Sequence, residues 1–445
     1  KVSGEKIALA GDLRPSTKKI MTAVGRAITD CRYEVVNAGL IPTPAVALFG
    51  LTNGWPSIMV TGSHIPADRN GIKFNKKAGE ILKEDEKKIR EINVEIEDRM
   101  FDGGGNFTDR RNVFGEVVKE AGDDFLKRYL NFFSPEALSG LHIGLFEHSA
   151  VGRDILSCAL DKLGAGVEIL GRAEQFTAVD NEALDPKVMT QVKIWSKEGK
   201  FDAIVSTDGD SDRPIIWDEK GDWVENDLAD IICARYLGAE TICTTLSGNT
   251  AVEKSGWFRN VVRTKIGSPY VVEAMMQSEA KGLKKILGYE NNGGMLLQSV
   301  FEMGGKILAP LPTRDAFIVI LSVLSLAKKE GKKISALFLE LPQTFMVSDH
   351  IVNFAREKAD IIIKTFNSED KINAFFGSIS GPLKVVDNQD GLRFTFKNGE
   401  IVHLRPSGNA PEMRIYSEAG SRERAQEINR MTKKMIVDRA GGFSV

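Results

Sequence analysis

The segment Asp208-Gly209-Asp210-Ser211-Asp212-Arg213-Pro214 places three carboxylates within five residues. Such a run repels itself unless a cation lies among the charges, and its hard oxygen ligands suit Mg²⁺ or Ca²⁺. Counting excludes an EF-hand loop. Asp208, Asp210, Asp212 and Glu219 fall at its first, third, fifth and twelfth positions, but the sixth, which needs Gly, is Arg213, and the seventh is Pro214. The flanks, 202–206 and 214–218, read as strands rather than helices. A lone Mg²⁺ takes few carboxylates and completes its shell with water and phosphate oxygens, so the expected occupant is one Mg²⁺, best held when a phosphate is present. A solvated acidic turn would carry the same residues.

A second segment, Thr61-Gly62-Ser63-His64-Ile65-Pro66, continues to Asn70-Gly71-Ile72-Lys73-Phe74. It follows an expected strand at 57–61, and open α/β sheets place ligands where strands end. Gly62 permits close backbone approach and Pro66 stiffens the turn. Ser63 is thus exposed to chemistry with His64 beside it and Lys73 on the return, and a nucleophilic serine needs such a base or electrostatic partner. An ordinary turn is the competing reading. A third segment, Arg405-Pro406-Ser407-Gly408-Asn409-Ala410-Pro411 with Arg414 beyond it, groups two guanidiniums, a hydroxyl, an amide and backbone N–H groups around a Gly. That is a phosphate cradle or a strand-connecting turn. A fourth, Gly288-Tyr289-Glu290-Asn291-Asn292-Gly293-Gly294, offers a carboxylate and two amides for sugar hydroxyls, as many turns do. Lys265, between Thr264 and Ile266, is by itself an ordinary lysine.

The elements that must position these segments alternate short apolar strands with amphipathic helices over three quarters of the chain, the pattern of α/β layers with largely parallel strands. Lys6–Ala10 runs into Gly11-Asp12-Leu13-Arg14-Pro15-Ser16, where Ser16 is the expected N-cap of a helix. Strands are expected at 141–146, 202–206, 240–245, 261–264 and 285–288. Three units that each repeat strand, Gly loop and helix suggest related domains, although the period is too loose to be a repeat. After about Val347 the pattern changes to strands at 383–387, 392–397 and 401–404 joined by tight turns, then a helix over 422–438: a small α+β domain. The expected division is 1–134, 135–238, 239–347 and 348–445, each with one of the four loops. The fold class is α/β, three related mixed-sheet domains plus the small α+β domain around a central cleft.

With 445 residues the chain is too long for one core. Its formal net charge of -2 leaves no basic footprint, so nucleic acid and anionic membranes are not expected partners, and no obligate protein partner is evident. The apolar run 317–327 falls short of the ~20 residues a membrane helix needs and reads as a buried helix. Charges of both signs over 83–91 read as a solvated helix face. Four cysteines without paired spacing fit reduced thiols in the cytoplasm. The chain opens at Lys1 and enters a strand almost at once, so a preceding segment is expected.

Taken in order, T-G-S-H-I-P, D-G-D-S-D-R, G-Y-E-N-N-G-G and R-P-S-G-N-A-P resemble the serine, metal, sugar and phosphate loops of the α-D-phosphohexomutases, the phosphomannomutase/phosphoglucomutase family. That family reads T-A-S-H-N-P, D-G-D-x-D-R, G-E-x-S-G and R-x-S-G-T-E-P, one per domain. The match runs from Gly11 to Arg414 and includes G-D-L-R-P-S and I-P-T-P-A. T-G-S-H-I-P-A-D-R-N-G-I-K-F, E-H-S-A-V-G-R-D, T-K-I-G-S-P-Y-V and L-P-T-R-D-A look most like a bacterial phosphomannomutase branch linked to surface polysaccharides.

The resemblance implies residue roles. Ser63 becomes the phosphate carrier and a metal ligand with Asp208, Asp210 and Asp212. His64, Lys73 (acid/base), Arg213 and Lys265 become catalytic. Arg14, Glu290, Asn292, Arg405, Ser407, Gly408, Asn409 and Arg414 become substrate-binding. It implies mannose 6-phosphate and mannose 1-phosphate as the interconverted pair, hexose 1,6-bisphosphate as intermediate and activator, and a product that feeds GDP-mannose. Glucose or glucosamine phosphate is the alternative substrate, and a phosphosugar-binding protein without turnover the distant one. Three departures stand out. The family's G-T-S-G-x-R-G loop is absent, Asn292 replaces the sugar-loop Ser with no His after it, and Asn409-Ala410 replaces Thr-Glu.

Overall fold

A computed structural model describes residues 5–109, 111–407 and 411–441. Its first sheet contains β1 (Lys6–Gly11), β2 (Glu34–Leu40), β3 (Ser57–Val60), β4 (Ile72–Lys76) and β5 (Gly79–Glu80). The second contains β6 (His142–His148), β7 (Gly166–Arg172), β8 (Ala203–Thr207) and β9 (Pro214–Trp217). β10 (Thr241–Thr245), β11 (Asn260–Thr264), β12 (Ile286–Tyr289) and β13 (Met295–Leu297) lead the third, which a hairpin of β14 (Phe301–Met303) and β15 (Lys306–Leu308) separates from its last strand, β16 (Leu311–Asp315). The fourth contains β17 (Phe345–Ile351), β18 (Leu383–Asp387), β19 (Leu392–Phe396), β20 (Ile401–Pro406) and β21 (Met413–Ala419).

The first three sheets share one topology. In each, the first strand lies between the second and third and pairs parallel with both, and the fourth turns back antiparallel on the third. The kinship that is too loose to read as a repeat is thus explicit in strand order. The fourth sheet is antiparallel throughout, as the tight turns at 389–391 and 398–399 require.

Apolar patterning explains where the mass sits. The helix Ala316–Glu330 is apolar on every side and buried from Ala316 to Ala327, which is the signature of a core helix. With Phe125, Tyr129, Phe132 and Phe133 it forms a core shared by the second and third sheets. Each fully buried Leu, Ile or Phe there contributes about 1.5–3 kcal/mol. Lys83–Glu91 has no buried residue, as a solvated helix should. The fourth sheet has a separate core around Phe376, Phe394 and Ile428. Among the described residues no helix is long and apolar enough to cross a membrane.

Two local expectations fail. Ser16 sits at the N-cap position, but its backbone is already helical and its side chain caps nothing; its Oγ accepts from Asn70 Nδ2 at 3.0 Å. The helices Arg356–Thr365 and Glu369–Ser380 and the strand β17 are not legible in the sequence pattern, because that stretch mixes charges with few clear stop signals.

Candidate active site

The serine loop leaves the end of β3 and meets the aspartate loop at the end of β8. Ser63 Oγ donates to Asp208 Oδ2 at 2.7 Å. The backbone of Ser63 is left-handed, with φ of 51°, and the residue is buried. Gly209 makes this approach possible: a Cβ there would lie 2.8 Å from the Ser63 carbonyl oxygen. That contact gives a physical reason for the glycine between the first two aspartates.

Arg14 holds the serine loop from behind. Its Nη1 donates to the carbonyls of Pro66 (2.7 Å) and Arg69 (3.1 Å), and its Nη2 to those of Ser63 (2.7 Å) and Ile65 (2.6 Å). Nε donates to Asp12 Oδ2 at 3.1 Å. The carboxylate of Asp12 also accepts from Thr17 and Thr61, and Thr61 Oγ1 in turn accepts the Ser63 amide at 2.7 Å. This corrects the assignment of Arg14 to substrate: the guanidinium is buried and committed to loop carbonyls. Gly62 serves the same end, since a Cβ there would fall 2.7 Å from the Arg14 guanidinium carbon.

The three aspartates are buried, and carboxylate oxygens of Asp208, Asp210 and Asp212 lie within 4.8 Å of one another. Lys73, on the antiparallel return β4, donates to Asp210 Oδ2 at 2.7 Å and Asp212 Oδ2 at 2.6 Å. Thr43 donates through its hydroxyl to Asp210 and through its amide to the Asp210 carbonyl. Asp208 Oδ1 accepts the amides of Asp212 and Arg213, each at 3.2 Å.

Burial pushes Asp208 well above the usual carboxylate range, and Asp210 and Asp212 push it further. Burial also opposes charge on Asp210, but Lys73 and Thr43 outweigh it and hold that carboxyl down. Burial would lower the Lys73 ammonium, yet Asp210 and Asp212 raise it, so it keeps its proton at neutral pH. Lys73 therefore supplies fixed positive charge, and a base role would require release of that proton against two carboxylates.

Asp210 Oδ1 and Asp212 Oδ1 are buried without a hydrogen-bond partner. Unpartnered anionic oxygens beside a third carboxylate and a serine hydroxyl make an all-oxygen donor set that fits a hard divalent cation.

Arg213 and His64 meet beside this triad: Arg213 Nη1 donates to His64 Nδ1 at 2.9 Å and to Glu182 Oε1 at 3.0 Å. Burial, then Arg213, lowers the His64 pKa, so His64 is a neutral acceptor here. Glu290 is buried and ion-paired to Arg314, and Asn292 Nδ2 donates to Glu182 Oε1 at 3.1 Å. Sequence reasoning misses Glu182, Asn181 and Arg314. The first two lie in Val179-Asp180-Asn181-Glu182, a loop without Gly signature, and Arg314 sits on a strand, so only contact reveals them.

In the fourth sheet Arg405 and Arg414 are directly opposite across β20 and β21, with His350 opposite Arg414 on β17. Like charges in opposed positions are destabilising without an anion. Arg405 Nε donates to Asp390 Oδ2 at 2.9 Å, and that oxygen also accepts the Ile266 amide. Ser407 is buried, and its amide donates to the Glu412 carbonyl at 2.8 Å. Gly408 and Asn409 lie outside the described residues. Lys265 is exposed, its ammonium 5.9 Å from the centre of the Tyr270 ring and away from the aspartates' hydrogen-bonded network.

A serine hydroxyl bonded into a buried carboxylate triad, at the meeting of repeated α/β sheets, defines a multidomain protein with an all-oxygen site suited to a hard cation. Four family descriptions match in order: phosphoglucomutase/phosphomannomutase alpha/beta/alpha domain I on residues 1–100, domain II on 123–221, domain III on 226–345, and the C-terminal domain on 352–435. The chain belongs to the phosphoglucomutase/phosphomannomutase family and is an isomerase of the mutase type. A phosphomannomutase of Sinorhizobium fredii is 38% identical over 431 residues, 96% of this chain and 89% of that protein. One of Salmonella muenchen is 36% identical over 423 residues, 95% and 86% of the two chains. The solved structure of a putative phosphomannomutase from Thermus thermophilus shares the fold, with a TM-score of 0.72 at 18% identity over 98% of this chain and 91% of that one.

Proposed function

We propose that this protein interconverts mannose 6-phosphate and mannose 1-phosphate through a phosphoserine at Ser63. The observation that carries the reading is the 2.7 Å hydrogen bond from Ser63 Oγ to Asp208, inside a triad with unpartnered buried oxygens. The identity to two phosphomannomutases, over nearly the whole chain, favours mannose.

In this reading phospho-Ser63 donates its phosphoryl group to a hydroxyl of the sugar monophosphate. The resulting 1,6-bisphosphate turns around in the cleft and returns its other phosphate to Ser63; added bisphosphate also serves as activator. Phosphoryl transfer has a loose transition state, so the protein's work is positioning and charge stabilisation. Asp208, Asp210 and Asp212, with an oxygen on Ser63, would hold one Mg²⁺. When bound, it neutralises charge on the transferring group.

The chain's own residues do the rest. Arg14 and Thr61 fix the serine backbone, Lys73 offsets the carboxylates, and Arg213 aims its guanidinium beside His64 next to the donor. The opposed Arg405 and Arg414, with Ser407, Gly408 and Asn409, take the phosphate that does not react, and Glu290 and Asn292 take sugar hydroxyls. Lys265 joins the charge stabilisers. The four divisions 1–134, 135–238, 239–347 and 348–445 each contribute one loop. The product would supply GDP-mannose for surface polysaccharide in the cytoplasm.

The test is Ser63→Ala with mannose 1-phosphate conversion as readout. The expected result is loss of turnover, with no phosphate found on the variant by intact mass; activity within a few-fold of wild type would end the phosphoserine reading. Side-by-side rates on mannose, glucose and glucosamine 6-phosphates test the sugar.

A further inference from the structure

The loop after β7 reaches out of the second sheet and touches three other parts of the site. Asn181 is fully buried: its Nδ2 donates to the Asn292 carbonyl at 2.6 Å, and its own carbonyl accepts from Asn226 Nδ2 at 3.0 Å. Its neighbour Glu182 has a side chain that is 44% exposed to solvent. One oxygen of that carboxylate, Oε1, accepts from Arg213 Nη1 at 3.0 Å and from Asn292 Nδ2 at 3.1 Å, and it lies 4.0 Å from His64 Nε2. A single acceptor atom therefore joins the metal loop, the sugar loop and the residue that follows the serine.

We propose that Glu182 is a positioning residue that sets the aim of Arg213 and fixes the orientation of the Asn292 amide in the sugar loop. The proposal rests on the phosphoryl-transfer reading of this cleft and adds to it a residue that touches neither phosphate nor sugar.

Two features carry it. First, the other partners of Arg213 hold it less firmly: Nη1 has the neutral His64 Nδ1 at 2.9 Å and Asn181 Oδ1 at 3.4 Å, and Nε has no hydrogen-bond partner, lying 3.8 Å from Asp212 Oδ1. Glu182 is thus the anionic group at hydrogen-bonding distance from the guanidinium tip, and it sets the direction of Nη1. Burial opposes charge on Glu182, but Arg213, then Asn292 and His64, hold its pKa below the usual value, so the acceptor is an ionised carboxylate. Second, an amide is nearly symmetric in shape, and its partners determine which atom points where. Because Oε1 accepts from Asn292 Nδ2, the amide oxygen is left over, and Asn292 Oδ1 is buried with no hydrogen-bond partner. Glu182 consequently fixes which way the Asn292 amide faces, with its oxygen turned inward, where an unheld amide could take either orientation.

The test compares Glu182→Ala and Glu182→Gln with wild type, and runs Ser63→Ala beside them. The amide oxygen of Gln can still accept from both Arg213 and Asn292, whereas Ala removes the acceptor. Glu182→Ala should lower kcat by about 10- to 100-fold, the scale of a misaimed catalytic group. KM for mannose 6-phosphate should stay nearly unchanged and the thermal midpoint close to wild type, since much of the side chain is already wet. The ratio of kcat/KM between mannose and glucose 6-phosphates should shift in Glu182→Ala, and Glu182→Gln should recover most of both losses.

A kcat for Glu182→Ala equal to wild type, or equal losses in Ala and Gln that follow a lowered thermal midpoint, would overturn the proposal. Inactive Ser63→Ala beside fully active Glu182→Ala would sink the Glu182 role alone. Active Ser63→Ala would sink the phosphoserine reading, whatever Glu182 does.

Discussion

Ser63 and Asp208 are 145 residues apart in sequence and hydrogen-bonded at 2.7 Å in the fold. The bond joins the first sheet to the second, so the hydroxyl and the triad exist as one site only when both sheets are docked. Asp208→Asn keeps the loop's shape but removes one charge of three. Turnover of mannose 1-phosphate should fall by about 100-fold, the scale of losing one preorganised electrostatic group. Because the fold opposes charge on Asp208, the metal-free variant should be at least as heat-stable as wild type. Assay and metal-free melting on one preparation check both halves.

Lys73 bridges Asp210 and Asp212 with a third of its side chain exposed. In Lys73→Met those carboxylates lose their resident cation. Metal-free stability should drop by about 3 kcal/mol, at the low end for breaking a buried pair. Added Mg²⁺ should then raise the melting temperature more in the variant than in wild type. An equal Mg²⁺ response in both would mean that the metal and the ammonium do not share the triad.

Arg14→Met leaves the carbonyls of Ser63, Ile65, Pro66 and Arg69 without their donor. Unpaired buried acceptors cost about 1–3 kcal/mol each, and less than additively. The expected outcome is a lowered thermal midpoint with kcat falling more than KM rises. A raised KM at unchanged kcat would instead return Arg14 to the substrate-binding set.

His403 makes the fourth sheet acid-sensitive. Burial, with Arg393 and Arg405 nearby, lowers its pKa to about 4, against the Asp390 carbonyl that accepts from Nε2 at 2.6 Å. Nδ1 is buried without a partner, so a second proton there is costly. Between about 6.5 and about 4 the unfolded chain binds the proton and the fold does not. Stability should therefore be complete above about pH 6.5 and decline as pH falls toward 4. His148, also lowered to about 4 by burial, titrates in the same window. His403→Asn should flatten part of the slope in melts from about pH 7.5 to about 4.5 and leave the share of His148.

How much of this is legible in the sequence varies by the kind of signal. Strand-to-loop junctions at Ser63 and Asp208 are readable because a Gly, a Pro and a carboxylate run mark them locally. That Lys73 lies on the return is readable, but its destination is not, since Ile72-Lys73-Phe74-Asn75-Lys76 looks like any polar edge. Its pairing with β3 is what delivers the ammonium to the triad. Arg14 shows the opposite failure. Its motif is recognisable, but a sequence does not say whether a guanidinium faces a ligand or its own backbone. Glu182 has no marker at all, because its meaning lies in its contacts with Arg213 on its own sheet and with Asn292 and His64 on loops of the third and first.

The left-handed backbone at Ser63 has a practical corollary. A side-chain-bearing residue in that conformation is roughly 1–2 kcal/mol less comfortable than glycine. Ser63→Gly would relieve that strain while giving up the bond to Asp208, so selection on heat resistance alone does little to protect the hydroxyl proposed as the phosphate carrier. Any thermostability campaign on this scaffold needs a turnover assay in every round.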